Sequence, residues 1–375
     1  MTQKIIIVVQ NLKIGGFQRI ALDEAYGFSA KKLDTTLVLL EDIESDSFNS
    51  FVKSESDLIS KYNLVIKSAS GSRFNQFLFF RSMLRSLGGA TQVISHSLRA
   101  TVIIWFAKLV SRNDIRVHTV IHQLPSLSAP VQRFKRFIYS LFSDKLYTFS
   151  IAAKNDWDDK IQSNLLLKSV FQKKPIILLR NGVFLERLPV KSYAHSVDGT
   201  LNIRLIFLGR PTKWKGVDTV LELLKTKRLI SATAIFYFPY ENSQLMSNIP
   251  TQIQDRITVY FGKTIRDYSP RIGDVHVYPV NYGNRGEFIE SISINCLEMM
   301  ALGIPSCVTK GGLDTWPELS KNSMITEVIW SNLDQTAEKI FETHLRAHEN
   351  SDFISARRIV SIDGHIDQLV QIAKK

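Results

Sequence analysis

Runs of β-branched residues alternate with helical runs along this chain, and the alternation starts again near residue 200. In the first series the strand-like runs are Ile5–Val9, Thr36–Leu40, Leu64–Ile66, Val93–His96, Val117–His122 and Leu146–Ser150. Helix-like runs separate most of them, at about Arg19–Lys31, Phe74–Leu87, Ala100–Val110 and Val131–Phe142. Such alternation predicts a parallel sheet wrapped by its crossovers, and right-handed crossovers make the sheet doubly wound. The pattern lapses after Asn181-Gly182, through Pro189, Ser192, His195, Ser196 and Gly199. It resumes with Ile203–Leu208, and Val275–Tyr278 and Ser306–Thr309 are later strands of the second series. The expected organisation is α/β: a doubly wound domain over 1–185, a linker over 186–200, a second such domain over 201–351, and a helix over about 352–375. Open α/β sheets bind ligands beyond the carboxyl ends of their strands, so two of them predict a cleft between facing domains.

A chain of 375 residues, 45% of them apolar, can bury two cores. Its two cysteines, Cys296 and Cys307, are too few for a disulfide framework or a structural zinc site and read as small buried hydrophobes. The apolar start, Ile5–Val9, is short and lacks a following small-residue cleavage site, so it reads as a first strand and not as a signal peptide. The longest apolar stretch, Thr101 to Val110, contains Lys108 and falls well short of the roughly 20 residues a membrane span needs. A cytoplasmic protein is expected. The net charge of +12 favours anionic partners without choosing among nucleotides, nucleic acids and acidic lipids.

Two segments carry chemistry. Residues 274–317 read as strand, long polar loop, helix, strand and Gly-Gly turn. Glu290 precedes the helix and Glu298 lies inside it, and eight residues of helical rise would separate them by roughly 12 Å. Each carboxylate can accept from a pair of sugar hydroxyls. Between them falls the helix start, near Ser291–Ser293, where free N–H groups and the macrodipole favour phosphate, so Ser293 and Ile294 are expected to meet the donor. The second segment, IFLGRPTKWKGVD over 206–218, places Arg210 and Lys215 on a loop between a strand and a helix opened by Gly216. A planar Arg fork and a mobile Lys charge can converge there on one diphosphate.

Together these segments resemble the retaining glycosyltransferases of the GT-B fold, in particular family 4. Glu290-Ser291-Ile292-Ser293 followed by Glu298-Met299-Met300-Ala301-Leu302-Gly303-Ile304-Pro305 is similar to the family's E-x7-E motif, with Ile292-Ser293 where Phe-Gly is usual. Gly209-Arg210 and Lys215-Gly216 resemble its G-R-x-x-x-x-K-G motif, about 75 residues upstream, and Asn181-Gly182-Val183 its N-G-V signature. The loop Gly15-Gly16-Phe17-Gln18-Arg19 resembles its G-G-A-E-R loop, with Gln18 where Glu is usual.

The resemblance implies that Glu290 contacts the transferred sugar and Glu298 the ribose, while Arg210 and Lys215 stabilise the leaving diphosphate. It also implies that Gly15 and Gly16 let the backbone approach the donor, and that a histidine at a strand end sits beside the donor sugar. His122 fits that place best, and His118 and His96 remain alternatives. The second domain would bind the nucleotide sugar and the first the acceptor, and the final helix would cross back to the first. Transfer would retain anomeric configuration, with the leaving phosphate oxygen taking the acceptor proton. A Mg²⁺ ion could do the same electrostatic work as Arg210 and Lys215. No Asp-x-Asp metal motif is identified in the chain to hold one, so no metal and no cofactor are expected.

The helices around Arg73-Phe74, Phe77–Arg81 and Arg85, and around Arg133–Ile138, interleave basic and aromatic residues. That pattern suits a peripheral contact with the anionic inner face of the cytoplasmic membrane. With no RNA-binding signature beside it, no nucleic-acid partner is expected. The expected partners are a nucleotide-sugar donor and a glycan or lipid-linked glycan acceptor of a surface polysaccharide pathway. Two other readings share these features. A sugar-nucleotide epimerase or phosphorylase would show turnover without an acceptor, or dependence on free phosphate. A catalytically degenerate nucleotide-sugar-binding subunit would bind without transfer.

Overall fold

The computed structural model describes residues 3–374 except 13–15, 42–45, 88–90, 112–113, 123–136, 152–153, 156, 160–175, 189–201, 213–214, 243–248, 264, 272, 280–291 and 347–349. The chain divides into two compact units, one formed by Met1–Phe184 with Ile362–Lys375 and the other by Leu185–Ser361.

In the first unit, strands β1 (Lys4–Val9), β2 (Asp34–Leu39), β3 (Val65–Ser68), β4 (Thr91–Ser95), β5 (Ile115–Ile121), β6 (Lys145–Thr148) and β7 (Ile176–Leu178) form a parallel sheet in the order β3-β2-β1-β4-β5-β6-β7. Ile7 sits centrally, paired with Leu37 on one side and Ile94 on the other. All five residues of Ile5–Val9 are buried. A parallel strand covered on both faces needs such an unbroken apolar run. Helices α1 (Gly16–Ala30), α2 (Asp46–Lys61), α3 (Arg73–Ser86) and α4 (Leu98–Ser111) make the crossovers. The strand order reverses direction between β1 and β4, the switch point at which doubly wound sheets open a crevice.

The second unit repeats the plan. Strands β8 (Arg204–Leu208), β9 (Thr233–Phe238), β10 (Ile257–Phe261), β11 (Asp274–Val277), β12 (Ser306–Val308) and β13 (Ile325–Glu327) run parallel in the order β10-β9-β8-β11-β12-β13. Phe207, Phe236 and Phe238 fill its core. Its helices are α5 (Val217–Leu223), α6 (Ile294–Ala301), α7 (Lys310–Thr315), α8 (Leu333–Arg346) and α9 (Asn350–Ile359), and its switch point lies between β8 and β11.

Three expectations need correction. The single helix expected over 352–375 is two helices, α9 and α10 (Ile362–Lys374). Between them the Ile362 N–H bonds to the Val183 carbonyl, so the break coincides with the return of the chain to the first unit. There α10 is fastened by Lys31 to Asp367 and by Gln368 to the Leu178 carbonyl. Secondly, the stretch expected as linker over 186–200 opens on regular structure. Leu185–Arg187 is a short 3-10 helix of the second unit, with Arg187 buried and ion-paired, while 189–200 lies outside the described residues. Thirdly, β4 ends at Ser95 and β5 at Ile121, so His96 and His122 stand just beyond their strands. Of the helix expected over Val131–Phe142, only 137–141 is described as helical, and 131–136 lies outside the described residues.

Candidate functional site

In the second unit the groups expected to bind phosphate gather around the β8/β11 switch point. β8 delivers its chain into the loop carrying Arg210, whose side chain is exposed and unpaired among the described residues. Five residues on, Lys215 is nearly buried. Its Nζ donates to the Tyr278 hydroxyl and lies 4.7 Å from the Tyr278 ring centroid. Tyr278 directly follows β11, so this contact spans the switch point. The loop is held tightly against its neighbour: Gly216 has φ +77°, and a Cβ there would lie 1.6 Å from the Pro279 carbonyl oxygen. No other residue fits, because the conformation is left-handed and the space is taken by backbone.

Helix α6 starts at the same place. The Asn295 side chain, in its first turn, donates to the Leu208 carbonyl at 2.8 Å, fastening the helix start to the end of β8. Ser293 is the N-cap, and its hydroxyl oxygen accepts from Cys296 N–H at 3.3 Å while facing Cys296 Sγ at 3.2 Å. The Ser293 side chain is thus committed to the cap, and what the helix start can offer a phosphate is its backbone N–H groups. Ile292 is buried, and Ile294 begins the helix as a core residue. At the other end Gly303 takes φ +81° just past the C-cap Leu302, a position glycine occupies at helix ends.

Glu298 is fully buried. Arg187, itself buried, donates to Glu298 Oε1 at 2.5 Å. Arg187 was invisible as a partner in the sequence, since 111 residues separate the two. Glu290 lies outside the described residues, as does Gly15. The separation of roughly 12 Å expected for Glu290 and Glu298 assumed helix throughout. Helix α6 begins only at Ile294, and Ile292 and Ser293 are not helical, so that spacing does not apply.

The first unit gathers its histidines beyond the carboxyl ends of adjacent strands β4 and β5. His96 Nδ1 and His122 Nε2 are 2.8 Å apart, and the rings stack at 5.0 Å between centroids. His96 Nε2 meets Glu24 Oε2 at 2.8 Å, and His365 Nε2 meets Glu24 Oε1 at 2.8 Å. Phe17 and Phe149 flank the His122 ring, each at 5.4 Å. Burial, and then the neighbouring His96, hold the His122 imidazole well below the usual histidine range. His118 is in a different place. It is buried inside β5, with Nδ1 2.6 Å from the Tyr147 hydroxyl, and burial lowers its pKa to about 4. Gly16 opens α1, and Gln18 donates to Asn11 at 3.3 Å while its own carbonyl is buried without a partner. Asn11 and Gln10, at the end of β1, both donate to Glu41 beyond β2.

Among the described residues no group of three or more His, Cys, Asp or Glu side chains is arranged to hold a metal ion. One triplet of the Asp-x-Asp form does occur, away from both motif segments, at Asp156-Trp157-Asp158. Trp157 is core, Asp158 pairs with Lys154 at 2.7 Å, and Asp156 lies outside the described residues. Both cysteines are buried free thiols.

No protein-family model and no curated protein matches this chain. Solved structures do. HepE of Anabaena, in complex with UDP, aligns over 100% of both chains at 12% identity with a TM-score of 0.69. An alpha-glucosyltransferase in complex with UDP and a 13-mer DNA containing an HMU base aligns over 100% of both at 14% identity and TM-score 0.68. Sucrose-phosphate synthase from Thermosynechococcus elongatus aligns over 99% of this chain and 98% of its own at 12% identity and TM-score 0.63. At such identities the fold is what is shared: two parallel-sheet α/β domains of the kind seen in GT-B glycosyltransferases.

Proposed function

We propose that this protein is a metal-independent retaining glycosyltransferase of the family 4 type, moving a hexosyl or related unit from a nucleotide-sugar donor to a glycan or lipid-linked glycan. The observation that carries the reading is the grouping at the β8/β11 switch point: Arg210, Lys215 held by Tyr278, and a helix start tied to β8 through Asn295. Preorganised cations and aligned N–H groups at one crevice stabilise the negative charge that develops on a departing diphosphate. In this reading Arg210 and Lys215 take the diphosphate, Glu290 the transferred sugar, and Glu298 the ribose, with Arg187 as its counter-ion. Gly15 and Gly16 leave room for the donor at the first loop, and His122 meets a substrate hydroxyl. UDP leads the candidate nucleotides because the HepE and alpha-glucosyltransferase structures hold it.

A thermal-shift panel of UDP, GDP and ADP and their sugars, followed by transfer assays with and without EDTA, tests this. Stabilisation by one nucleotide and EDTA-insensitive transfer with retained configuration are expected. Turnover of the nucleotide sugar without an acceptor, or parent-level activity in Lys215→Ala, would overturn it.

A peripheral membrane contact is part of the proposal. Helix α4 exposes Phe106, Leu109 and Val110, and helix α3, packed against it, exposes Phe74 and Leu78 beside Arg73 and Arg85. An apolar outward face with basic neighbours on a chain of charge +12 suits an anionic lipid surface, where a lipid-linked acceptor would be found. Among the described residues no helix is long and apolar enough to cross a membrane.

A further inference from the structure

Glu24 lies on α1, inside the first unit, with none of its side chain exposed. A carboxylate buried there needs partners, because leaving a charge unpaired in the interior costs several kcal/mol. Its two oxygens each meet one imidazole: His365, from α10, on Oε1, and His96, beyond β4, on Oε2, both at 2.8 Å. Burial pushes this carboxyl up. His96 and His365, one at each of its two oxygens, more than reverse that and leave it at about 2. Glu24 is therefore ionised at neutral pH and can only accept hydrogen bonds.

That single fact fixes the protons along the chain of rings. His365 faces acceptors at both nitrogens, Glu24 at Nε2 and the Arg180 carbonyl 2.7 Å from Nδ1, so the doubly protonated ring satisfies both. Its charge balances that of Glu24. His96 gives its Nε2–H to Glu24. With His365 already balancing Glu24, a second cation buried on His96 would go uncompensated, so His96 is the neutral ring with its lone pair on Nδ1, whose partner among the described residues is His122 Nε2. His122 must be the donor, with its proton on Nε2. Its other nitrogen, Nδ1, is left with a lone pair and makes no hydrogen bond to any described residue.

We propose that Glu24 is a positioning residue which, acting through His96, holds His122 as the Nε2–H tautomer so that Nδ1 meets the substrate as a hydrogen-bond acceptor. The partner this selects is a hydroxyl that donates, such as a sugar hydroxyl, and not a carbonyl or phosphate oxygen. His365 makes the return of α10 to the first unit part of the same network. The proposal rests on the reading of His122 as the substrate-facing histidine.

The test uses the full-length protein labelled with ¹⁵N-histidine, with His122 identified by its absence in His122→Gln. Two-bond ¹H–¹⁵N spectra report which ring nitrogen carries the proton. In the parent protein the expected result is a protonated Nε2 and an unprotonated Nδ1. Glu24→Gln keeps the shape but turns one acceptor into a donor, so His122 should shift to the other tautomer or to an exchanging mixture. The same variant should lower kcat for transfer by roughly tenfold or more, with the Kd for the nucleotide diphosphate within about twofold because that ligand is assigned to the second unit. Glu24→Asp, which keeps the charge, should restore the parent ring pattern in part. If Glu24→Gln does not fold, the parent spectrum still decides, since His122 protonated on Nδ1 overturns the proposal outright. A folded Glu24→Gln with an unchanged His122 ring also overturns it. If the protein proves not to be a transferase, the activity arm goes silent while the tautomer arm still reads, so the two failures are distinguishable.

Discussion

Arg187 donates to Glu298 at 2.5 Å, and neither side chain is more than 5% exposed. Breaking such a pair on one side strands the other charge in the interior, at a cost of about 3–5 kcal/mol. Arg187→Ala should therefore lower stability in urea by roughly that amount. Replacing both residues by apolar ones, as in Arg187→Met with Glu298→Leu, should recover most of the loss. The double variant also separates structure from function. If it folds at parent stability but no longer binds a nucleotide, Glu298 belongs to the ligand site as well as to the core. If Arg187→Ala leaves urea stability unchanged, the ion pair is not a structural element.

Lys215 offers the most direct probe of the phosphate site. A charge-assisted contact to phosphate contributes about 1.5–3 kcal/mol, or roughly 10- to 100-fold in affinity. Lys215→Ala should weaken nucleoside-diphosphate binding by that factor in calorimetry. Tyr278→Phe keeps the ring under the ammonium and removes only the hydroxyl, so its effect should be smaller. Equal affinity in Lys215→Ala and the parent would remove Lys215 from the site.

The two strands at the centre of their sheets were the plainest in the sequence. Ile5–Val9 and Ile203–Leu208 are unbroken apolar runs because parallel sheets have no solvent side. The edge strand β10 alternates partly buried and exposed residues, and helix α2 is polar on average, with several Ser and Asp residues among its few apolar ones, so neither announced itself. The Arg210–Lys215 loop and the start of α6 were legible because they are local, with spacing and turn chemistry written in consecutive residues. Partners distant in sequence were not. Glu24 looks like one more polar residue of α1 until β4 and α10 bring His96 from 72 residues away and His365 from 341. The break between α9 and α10 was hidden for the same reason, since Val183 supplies the carbonyl that ends the helical run.

Acid should destabilise the fold earlier than its few buried carboxylates suggest. Burial lowers His118 to about 4 and His276 to about 3, and burial with His96 holds His122 well down. In the unfolded chain each titrates near 6.5. Below that value the unfolded state takes up protons the folded state refuses, so stability falls as pH falls. The slope is about 1.4 kcal/mol per pH unit for each group and about 4 for the three together. Glu24 acts in the same direction at lower pH. Its lowered pKa contributes stability that is present above the unfolded value of 4.5 and lost as pH drops toward 2. The Tm should fall steeply between pH 6.5 and 5, and His276→Leu should reduce the slope by about a third. A Tm that is flat from pH 7.5 to 5 contradicts the assignment of these rings as buried and neutral.

The exposed face of α4 can be tested with vesicles. Phe106 is 47% exposed and Leu109 57%, and nothing polar interrupts the pair on the outward side of the helix. Burying one such side chain in an apolar medium gains up to about 1.5–3 kcal/mol, and each nearby Arg adds about 1 kcal/mol on an anionic surface. Substituting both Phe106 and Leu109 with serine should then lower sedimentation with phosphatidylglycerol vesicles by roughly tenfold or more. Salt at about 0.5 M should weaken the parent's binding by screening its basic residues and leave the apolar share. Neutral phosphatidylcholine vesicles should bind weakly throughout. Parent-level binding by the double serine variant would show that α4 is not the contact, and binding that ignores both salt and lipid charge would remove the electrostatic half of the argument. Neither substitution touches the phosphate loop or the histidine network, so nucleotide affinity and the Tm serve as controls that separate lost docking from lost fold.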